Sequence, residues 1–114
     1  MTQHDPAVRL RHMLNHAREA ADMIRGRKRG DLDTDRMLEL SLVRLVEIVG
    51  EAASQLEGAD QARYPSIPWP QVTGMRHRLI HGYDTVDLQV LWDTVTDDFP
   101  PLIAALERIL PSQA

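Results

Sequence analysis

The sequence predicts an all-α protein, and three observations support that prediction. Apolar residues recur at spacings of three and four along three long segments, as on the buried face of a helix. No segment shows the alternation of apolar and polar residues that is typical of a half-buried strand. A chain of 114 residues is long enough for one hydrophobic core but not for two. Residues 1–114 are therefore expected to form a single helical domain.

The first helix is expected over residues 5–25. Asp5 suits the cap position, and Pro6 suits the first turn because its missing N–H has no helical partner there. Apolar positions at helical spacing then form one stripe, which consists of Leu10, Met13, Leu14, Ala17, Ala21 and Ile24.

The second helix should begin near residues 33–35, with Thr34 or Asp33 as its cap, and should continue to about residue 56. Its inward seam is expected to consist of Leu38, Leu42, Leu45, Val49, Ala52 and Leu56. Leu40 and Val43 fall on the opposite side of this helix. They indicate either a partner subunit that covers them or scattered surface aliphatics, and the sequence leaves both interpretations open.

Residues 58–70 are expected to be the longest irregular stretch, because three prolines between positions 64 and 70 exclude a continuous helix. Ile67 and Trp69 should anchor this stretch to the core. A third helix is predicted over residues 70–80, with Gly82 ending it in a left-handed turn.

The last helical segment is expected over residues 88–110. Pro100 and Pro101 should kink it or divide it into two helices. Its inward stripe is predicted to contain Leu91, Val95, Phe99, Leu102, Leu106 and either Ile109 or Leu110.

Composition limits the possible functions. The chain has no cysteine, which excludes disulfides, thiolate nucleophiles and zinc sites built on cysteine. There is neither an apolar run long enough to span a membrane nor a recognisable signal peptide, so we expect a cytoplasmic protein without membrane contact. The net charge of −4 argues mildly against broad, non-specific binding of nucleic acid.

The basic residues nevertheless concentrate in two places. One is the basic cluster of Arg25, Arg27, Lys28 and Arg29, which is most simply a solvated helix end. The other lies in the stretch from residue 76 to residue 83, which reads Arg-His-Arg-Leu-Ile-His-Gly-Tyr. A local positive cleft can bind RNA even in a protein of negative net charge.

This second stretch can carry phosphate chemistry without a metal. The guanidinium of Arg76 can bind phosphate oxygens and stabilise the charge that develops on them. His81 can transfer a proton near neutral pH. The pair is therefore a candidate site for RNA cleavage by attack of the 2′-hydroxyl on its own phosphorus. His77 and Arg78 could support it, and Tyr83 adds a hydroxyl group. On a continuous helix Arg76 would align with Tyr83, and His77 and Arg78 with His81, but the spacing does not require all of them to converge.

Two other interpretations stay open. Arg76, Arg78 and His81 could simply be cations at a helix end. The spacing of four residues between His77 and His81, and between His12 and His16, also allows a metal site, although two histidine pairs without further ligands are weak evidence for zinc.

As a set, these residues resemble the HepT-like branch of the HEPN superfamily, which are small all-α toxins of toxin–antitoxin modules. The family carries an arginine, four residues, a histidine, one residue and a tyrosine, matched here by Arg76, His81 and Tyr83. The position after the arginine is typically polar, often asparagine, and here it is His77.

The resemblance covers nearly the whole chain. The segment Leu45-Val-Glu-Ile-Val-Gly-Glu-Ala52 resembles the family's second long helix, and the proline-rich loop before Trp69, the Gly74-Met75 pair and residues 84–87 also match. One departure is Val43-Arg44, where an acidic residue is expected before the arginine.

The resemblance implies an antiparallel bundle of four or five helices that forms a homodimer, with two motifs facing a shared cleft. It implies that Arg76 and His81 are the catalytic pair of an RNA endonuclease that needs no metal and no cofactor. It further implies that Tyr83 accepts AMP from an MntA-type nucleotidyltransferase, the antitoxin. An AMP group there would add bulk and negative charge beside the catalytic pair.

Two alternatives to an RNA-cleaving toxin are a non-catalytic helical subunit that binds a nucleotide or a nucleotidyltransferase partner, and a purely structural dimer subunit. The negative net charge slightly favours the first of them.

Overall fold

A computed structural model describes residues 5–81 and 85–111. Helix α1 spans Pro6–Met23, and the Asp5 side chain caps it by accepting a hydrogen bond from the Ala7 amide at 3.0 Å. A short helix α2 spans Asp31–Thr34 and is followed by α3 at Arg36–Ser54. The cap of α3 is Asp35, whose side chain accepts from the Leu38 amide at 3.0 Å. The predicted caps Thr34 and Asp33 are therefore wrong, because these residues belong to the preceding helix.

The middle of the chain contains more helix than predicted. Helix α4 spans Gly58–Ala62, within the stretch predicted to be irregular. The predicted third helix is divided into α5 at Trp69–Thr73 and α6 at Met75–Leu79, with Gly74 between them at φ −90° and ψ 0°. Trp69 is buried as predicted, and its indole N–H donates to the carbonyl oxygens of Gln61 and Tyr64 at 2.9 and 3.1 Å.

A two-residue antiparallel ladder follows α6, which the sequence did not predict. Strand β1 is Ile80–His81 and strand β2 is Thr85–Val86. Ile80 is opposite Val86 and His81 is opposite Thr85. Helix α6 ends at Leu79 because Ile80 has an extended backbone, with φ −106° and ψ 122°. The prediction that Gly82 ends this helix is wrong in its position, and Gly82 itself lies outside the described residues.

The last segment begins with α7 at Leu88–Asp93, passes through a π-helical turn at Thr94–Asp98 and ends with α8 at Phe99–Ile109. The predicted interruption exists, but it lies just before the two prolines. Pro100 and Pro101 have no amide N–H to donate to the carbonyls of the preceding turn, which favours this change of register.

The predicted all-α bundle is confirmed, and its first and last helices are antiparallel. Arg11 of α1 donates to the carbonyl of Pro111, whereas Arg18 pairs with Glu107 of α8, which shows that α1 and α8 are antiparallel. The predicted inward positions of α3 and of the last segment are buried. On α1 the stripe holds for Leu10, Met13, Leu14 and Ala17, with Ala20 buried in place of Ala21.

The outward face of α3 is less well covered. Leu40 is 51% exposed and Met37 is 80% exposed, whereas Val43 is partly buried. None of the helices in the described parts of the chain is both long and apolar enough to cross a membrane.

Candidate active site

Helix α5 packs closely against α3 at Gly50, and Gly74 lies where α5 passes into α6. A Cβ atom on Gly50 of α3 would lie 3.3 Å from the carbonyl oxygen of Val72. A Cβ atom on Gly74 would lie 3.1 Å from the carbonyl oxygen of Pro70 and 3.2 Å from Nη1 of Arg78. All three distances are tighter than most Cβ contacts in proteins, so a larger residue at Gly50 would push α5 away from α3, and one at Gly74 would crowd α5 and the Arg78 side chain.

Arg76 extends from α6 toward α3. Its side chain is 60% exposed, and its Nε donates to Oε2 of Glu47 at 3.3 Å. Neither Nη1 nor Nη2 has a hydrogen bond to another residue in the described parts of the chain. The single contact fixes the base of the guanidinium and leaves its outer fork free. That fork is the part that binds two phosphate oxygens at once.

Glu47 is the residue of this site whose role the sequence analysis missed. Its side chain is 24% exposed, and its two oxygens face different arginines: Oε2 contacts Arg76, and Oε1 lies 3.8 Å from Nη1 of Arg44. Glu47 precedes Arg76 by 29 positions. No local spacing rule connects residues so far apart, and only the presence of Glu47 in the segment that resembles the family's long helix drew attention to this region.

Arg78 is directed elsewhere. Its Nη2 donates to the carbonyl oxygen of Gln71 at 2.7 Å, which ties α6 back to α5. Burial raises the pKa of Asp98 in the π-helical turn, the positive charge of Arg78 opposes that rise, and the nearby carboxylates of Asp97 and Asp93 add to it. His77 is exposed on α6. A supporting role for His77 and Arg78 stays a prediction.

His81 lies on β1, not on a helix. Because the helix ends at Leu79, the helical alignments of residues 76–78 with residues 81–83 do not apply. The ladder fixes the backbone of this segment: His81 pairs with Thr85, and the Asp87 amide donates to the Leu79 carbonyl at 2.8 Å. The His81 side chain and the whole of Tyr83 lie outside the described residues. The proximity of Arg76 and His81 therefore remains a prediction.

A groove of about 180 Å³ connects the described parts of this region. Leu40 and Val43 of α3 form one wall, and Ile80 and Val86 of the ladder form the other. Glu47, which binds Arg76, also lines this groove. The groove therefore extends from Glu47 to Ile80, which precedes His81, and to Thr85, which pairs with His81 in the ladder. The groove offers an apolar surface between the Glu47 partner of Arg76 and the described residues of the ladder.

The basic cluster at residues 25–29 has a different environment. Arg25 pairs with Asp22 at 2.6 Å, Arg27 with Asp35 at 3.1 Å, and Arg29 with Asp33 at 3.2 Å. Hydrogen bonds from Arg27 and the Leu38 amide lower the pKa of the Asp35 carboxyl, the amide having the larger effect. These pairings support the interpretation of the cluster as a solvated helix end.

The described residues contain no group of three or more potential metal ligands. The rings of His12 and His16 lie 6.5 Å apart and are tilted by 50°, and Nδ1 of His16 lies 3.3 Å from Glu19. The metal interpretation of His77 and His81 is not tested, because the imidazole of His81 lies outside the described part of the chain.

The fold and the motif define a class of protein that comparison identifies. Residues 13–109 match the family described as "Ribonuclease HepT-like". The chain belongs to this family, so the resemblance seen in the sequence and the prediction of an RNA endonuclease are confirmed.

Individual relatives agree with the family. A "Putative RNase" of Caldanaerobacter subterraneus subsp. tengcongensis is 30% identical over 108 residues, which are 95% of this chain and 96% of the relative. A "Probable ribonuclease HepT" of Thermococcus cleftensis is 37% identical over 79 residues, which are 69% of this chain and 72% of the relative. No solved structure is significantly similar to the chain.

Proposed function

We propose that this protein is the toxin of a toxin–antitoxin pair and cleaves RNA without a metal, with Arg76 and His81 as its catalytic residues. The observation that carries the proposal is the exposure and the hydrogen bonding of Arg76. This arginine is exposed, is held through Nε alone among the described residues, and binds Glu47, which lines a groove on a member of a ribonuclease family. An arginine held in this way is prepared to bind a phosphate.

In the proposed reaction the 2′-oxygen of the RNA attacks the adjacent phosphorus, and the bond from phosphorus to the 5′-oxygen breaks. The products are a 2′,3′-cyclic phosphate and a 5′-hydroxyl end. His81 transfers a proton in this exchange, either from the attacking 2′-hydroxyl or to the leaving 5′-oxygen. The outer nitrogens of Arg76 stabilise the charge on the non-bridging oxygens.

Glu47 is proposed to be a positioning residue for Arg76. Its carboxylate takes up the Nε–H, which turns the Nη fork away from α3. Because Glu47 lies on a long helix with buried neighbours, the guanidinium is fixed to the rigid part of the fold. Such preorganisation lowers the cost of orienting a catalytic group when substrate binds.

We further propose that two copies of the chain pair through the outward face of α3 and that the protein works in the cytoplasm. Leu40 and Met37 expose apolar surface on this face. The groove beside Leu40 and Val43 extends to the ladder, so such a pairing would bring two motifs toward one cleft. The reaction needs both an acid and a base, and a second subunit could supply one of them.

The experiment that tests the cleavage proposal uses a labelled single-stranded RNA with the purified protein in excess EDTA. Cleavage should continue in the chelator and should leave 2′,3′-cyclic phosphate ends. His81→Ala should reduce the rate by about 100-fold or more, because general acid–base catalysis typically contributes that much. Loss of activity in EDTA, or normal cleavage by His81→Ala, would contradict the proposal.

Neutralisation is proposed to occur by transfer of AMP to Tyr83. The phenolic oxygen would attack the α-phosphorus of ATP, which releases pyrophosphate and leaves a phosphodiester beside the catalytic pair. Intact-mass measurement after incubation with ATP and an MntA-type nucleotidyltransferase should show one added AMP, together with loss of RNA cleavage. The site would be refuted if Tyr83→Phe gained the same mass.

A further inference from the structure

A second groove lies on the other flank of α3, between α3 and α1, and has a volume of about 220 Å³. Arg9 and His12 line it from α1, and Arg44 and Glu51 line it from α3. Among the described residues, the lining of the groove contains two guanidinium groups, one imidazole and one carboxylate, and Glu47 lies at 3.8 Å from Arg44 just outside it. In a chain with a net charge of −4, this local excess of positive charge requires an explanation.

The two arginines of this groove make fewer or longer ion pairs with described residues than Arg18 does. Arg9 is partly buried but makes no hydrogen bond or ion pair with any described residue. Arg44 is 72% exposed, and its one ion pair, with Glu47, is long at 3.8 Å. By contrast, Arg18 pairs with Glu107 at 2.6 Å on the opposite side of α1. The groove keeps guanidinium donors available to a ligand, and such donors form their strongest hydrogen bonds with anions such as phosphate.

Glu47 connects this groove to the candidate active site. Its Oε1 faces Arg44, which lines the groove, and its Oε2 binds Arg76 of the motif. Arg44 and Arg76 therefore contact different oxygens of the same Glu47 carboxylate on α3. A linear polyanion that extends from Arg76 past Glu47 would reach Arg44, which lines the groove together with Arg9 and His12.

We propose that the groove formed by Arg9, His12 and Arg44 binds backbone phosphates of the RNA beyond the bond that is cleaved. This inference rests on the proposed ribonuclease function and extends it from one phosphodiester to a track of several. Phosphate contacts of this kind position a nucleic acid without reading its sequence. The groove thus selects single strands several nucleotides long over the shortest cleavable RNA.

The binding test uses His81→Ala protein, so that RNA stays intact, and a fluorescent single-stranded RNA of twelve nucleotides. In that background Arg9→Ala and Arg44→Ala should each raise the Kd by about tenfold, since a hydrogen bond to a charged group contributes energy of that order. The double variant should lower the slope of log Kd against log salt by about 1.4, because each phosphate contact on a single strand contributes roughly 0.7.

Arg108→Ala is the matched control. Arg108 is exposed in the last turn of α8, makes no ion pair with a described residue and lies outside the groove, so its loss removes the same charge. It should change the Kd by less than about twofold. Arg9→Lys should keep most of the affinity, and thermal melting should show that all variants are folded. Equal weakening by Arg108→Ala and Arg9→Ala, or no weakening by either groove variant, would overturn the proposal.

Cleavage of a dinucleotide separates this inference from the proposed function. A dinucleotide contains the reactive phosphodiester and no further phosphate, so Arg9→Ala should cleave it as well as the unmodified protein does. On the twelve-nucleotide RNA the same variant should show a kcat/KM about tenfold lower. Failure of the unmodified protein to cut either RNA would refute the ribonuclease mechanism. A loss of equal size on both substrates would refute the groove alone.

Discussion

The basic cluster at residues 25–29 and helix α6 are both rich in arginine, but they use their guanidinium groups differently. In the basic cluster, the outer Nη nitrogens of Arg25, Arg27 and Arg29 bind aspartate carboxylates at 2.6 to 3.2 Å. In α6, Arg76 is held by its inner Nε, and its Nη nitrogens have no partner in the described parts of the chain. The first arrangement occupies one Nη nitrogen of each arginine and places a carboxylate against its charge, whereas the second leaves both Nη nitrogens of Arg76 without a described partner.

The difference shows that the density of basic residues in a sequence is a poor guide to where an anion binds. Four of the five residues at 25–29 are basic, yet this cluster was predicted to be a solvated helix end, and its ion pairs support that interpretation. What distinguishes the two regions is the position of acidic residues in three dimensions. Asp22, Asp33 and Asp35 surround the cluster, whereas in the described parts of the chain Glu47 is the one carboxylate that binds Arg76, and it contacts Nε.

The largest expected effect is on the rate of RNA cleavage, and it appears when one arginine from each region is replaced by alanine. Arg76→Ala should reduce RNA cleavage by about 100- to 1,000-fold, which is the usual cost of removing one group that stabilises an oxyanion. Arg27→Ala should change the rate by less than about twofold and the stability by less than about 1 kcal/mol, because exposed ion pairs contribute little. Initial rates on one labelled RNA and chemical denaturation measure both. Similar rate losses in the two variants would remove the distinction between the regions.

A smaller effect is expected from the residue behind Arg76. Glu47→Ala should lower kcat by roughly 10- to 100-fold, since a catalytic group displaced by about 1 Å can cost that much. The KM should stay constant or fall, because a negative charge near the phosphate is removed. The shape of the pH–rate profile should not change, since the proton is transferred by His81.

Glu39→Ala is the control for that experiment. Glu39 is on the same helix, lines the same groove and pairs with Arg36 at 3.2 Å, but it does not contact Arg76. It should keep nearly full activity. If Glu47→Ala instead abolished the acidic limb of the pH profile, Glu47 would be a proton-transfer group, and its role as a positioning residue would be wrong.

The smallest expected effect is on thermal stability and comes from Asp98, whose carboxyl group lies near the positive charge of Arg78. The pKa of Asp98 is raised above 3.8 by burial despite the opposing charge of Arg78. The folded state therefore holds its proton to higher pH than the unfolded chain, and the stability contributed by Asp98 falls as pH rises from 3.8 through the folded pKa. Asp98→Asn should melt slightly higher at pH 7 and lose that advantage below pH 3.8. A variant that is less stable at pH 7 would show that the attraction to Arg78 dominates.

Much of the fold could be predicted from the sequence, because burial on long helices follows a regular spacing. The six predicted inward residues of the second helix are all buried, although α3 ends at Ser54, before Leu56, and Asp5 caps α1 as expected. The breaks were harder to place. The π-helical turn depends on a competition among hydrogen bonds: Thr94 and Thr96 donate their hydroxyls to the carbonyls of Val90 and Trp92 at 2.7 and 2.8 Å.

The candidate site could be predicted only in part. The chemistry of arginine and histidine pointed to residues 76 and 81, and family membership supports the same activity. The strand Ile80–His81 could not be predicted, because two residues are too few to show an alternation of apolar and polar side chains. The ion pair of Glu47 with Arg76 and the groove between α1 and α3 depend on packing between distant segments, which the order of residues does not display.

The central claim is that Arg76 and His81 act on one phosphodiester. The most direct measurement is a crystal structure of the protein with a dinucleotide that has a 2′-methoxy group at the cleavage position and so cannot react. If Arg76 and His81 act together, an Nη nitrogen of Arg76 and a ring nitrogen of His81 should both lie within about 3.2 Å of oxygens of that phosphate group or of the 2′-methoxy oxygen of the adjoining ribose. A phosphate bound by Arg76 with the imidazole of His81 directed away from it, or bound at neither residue, would contradict the account.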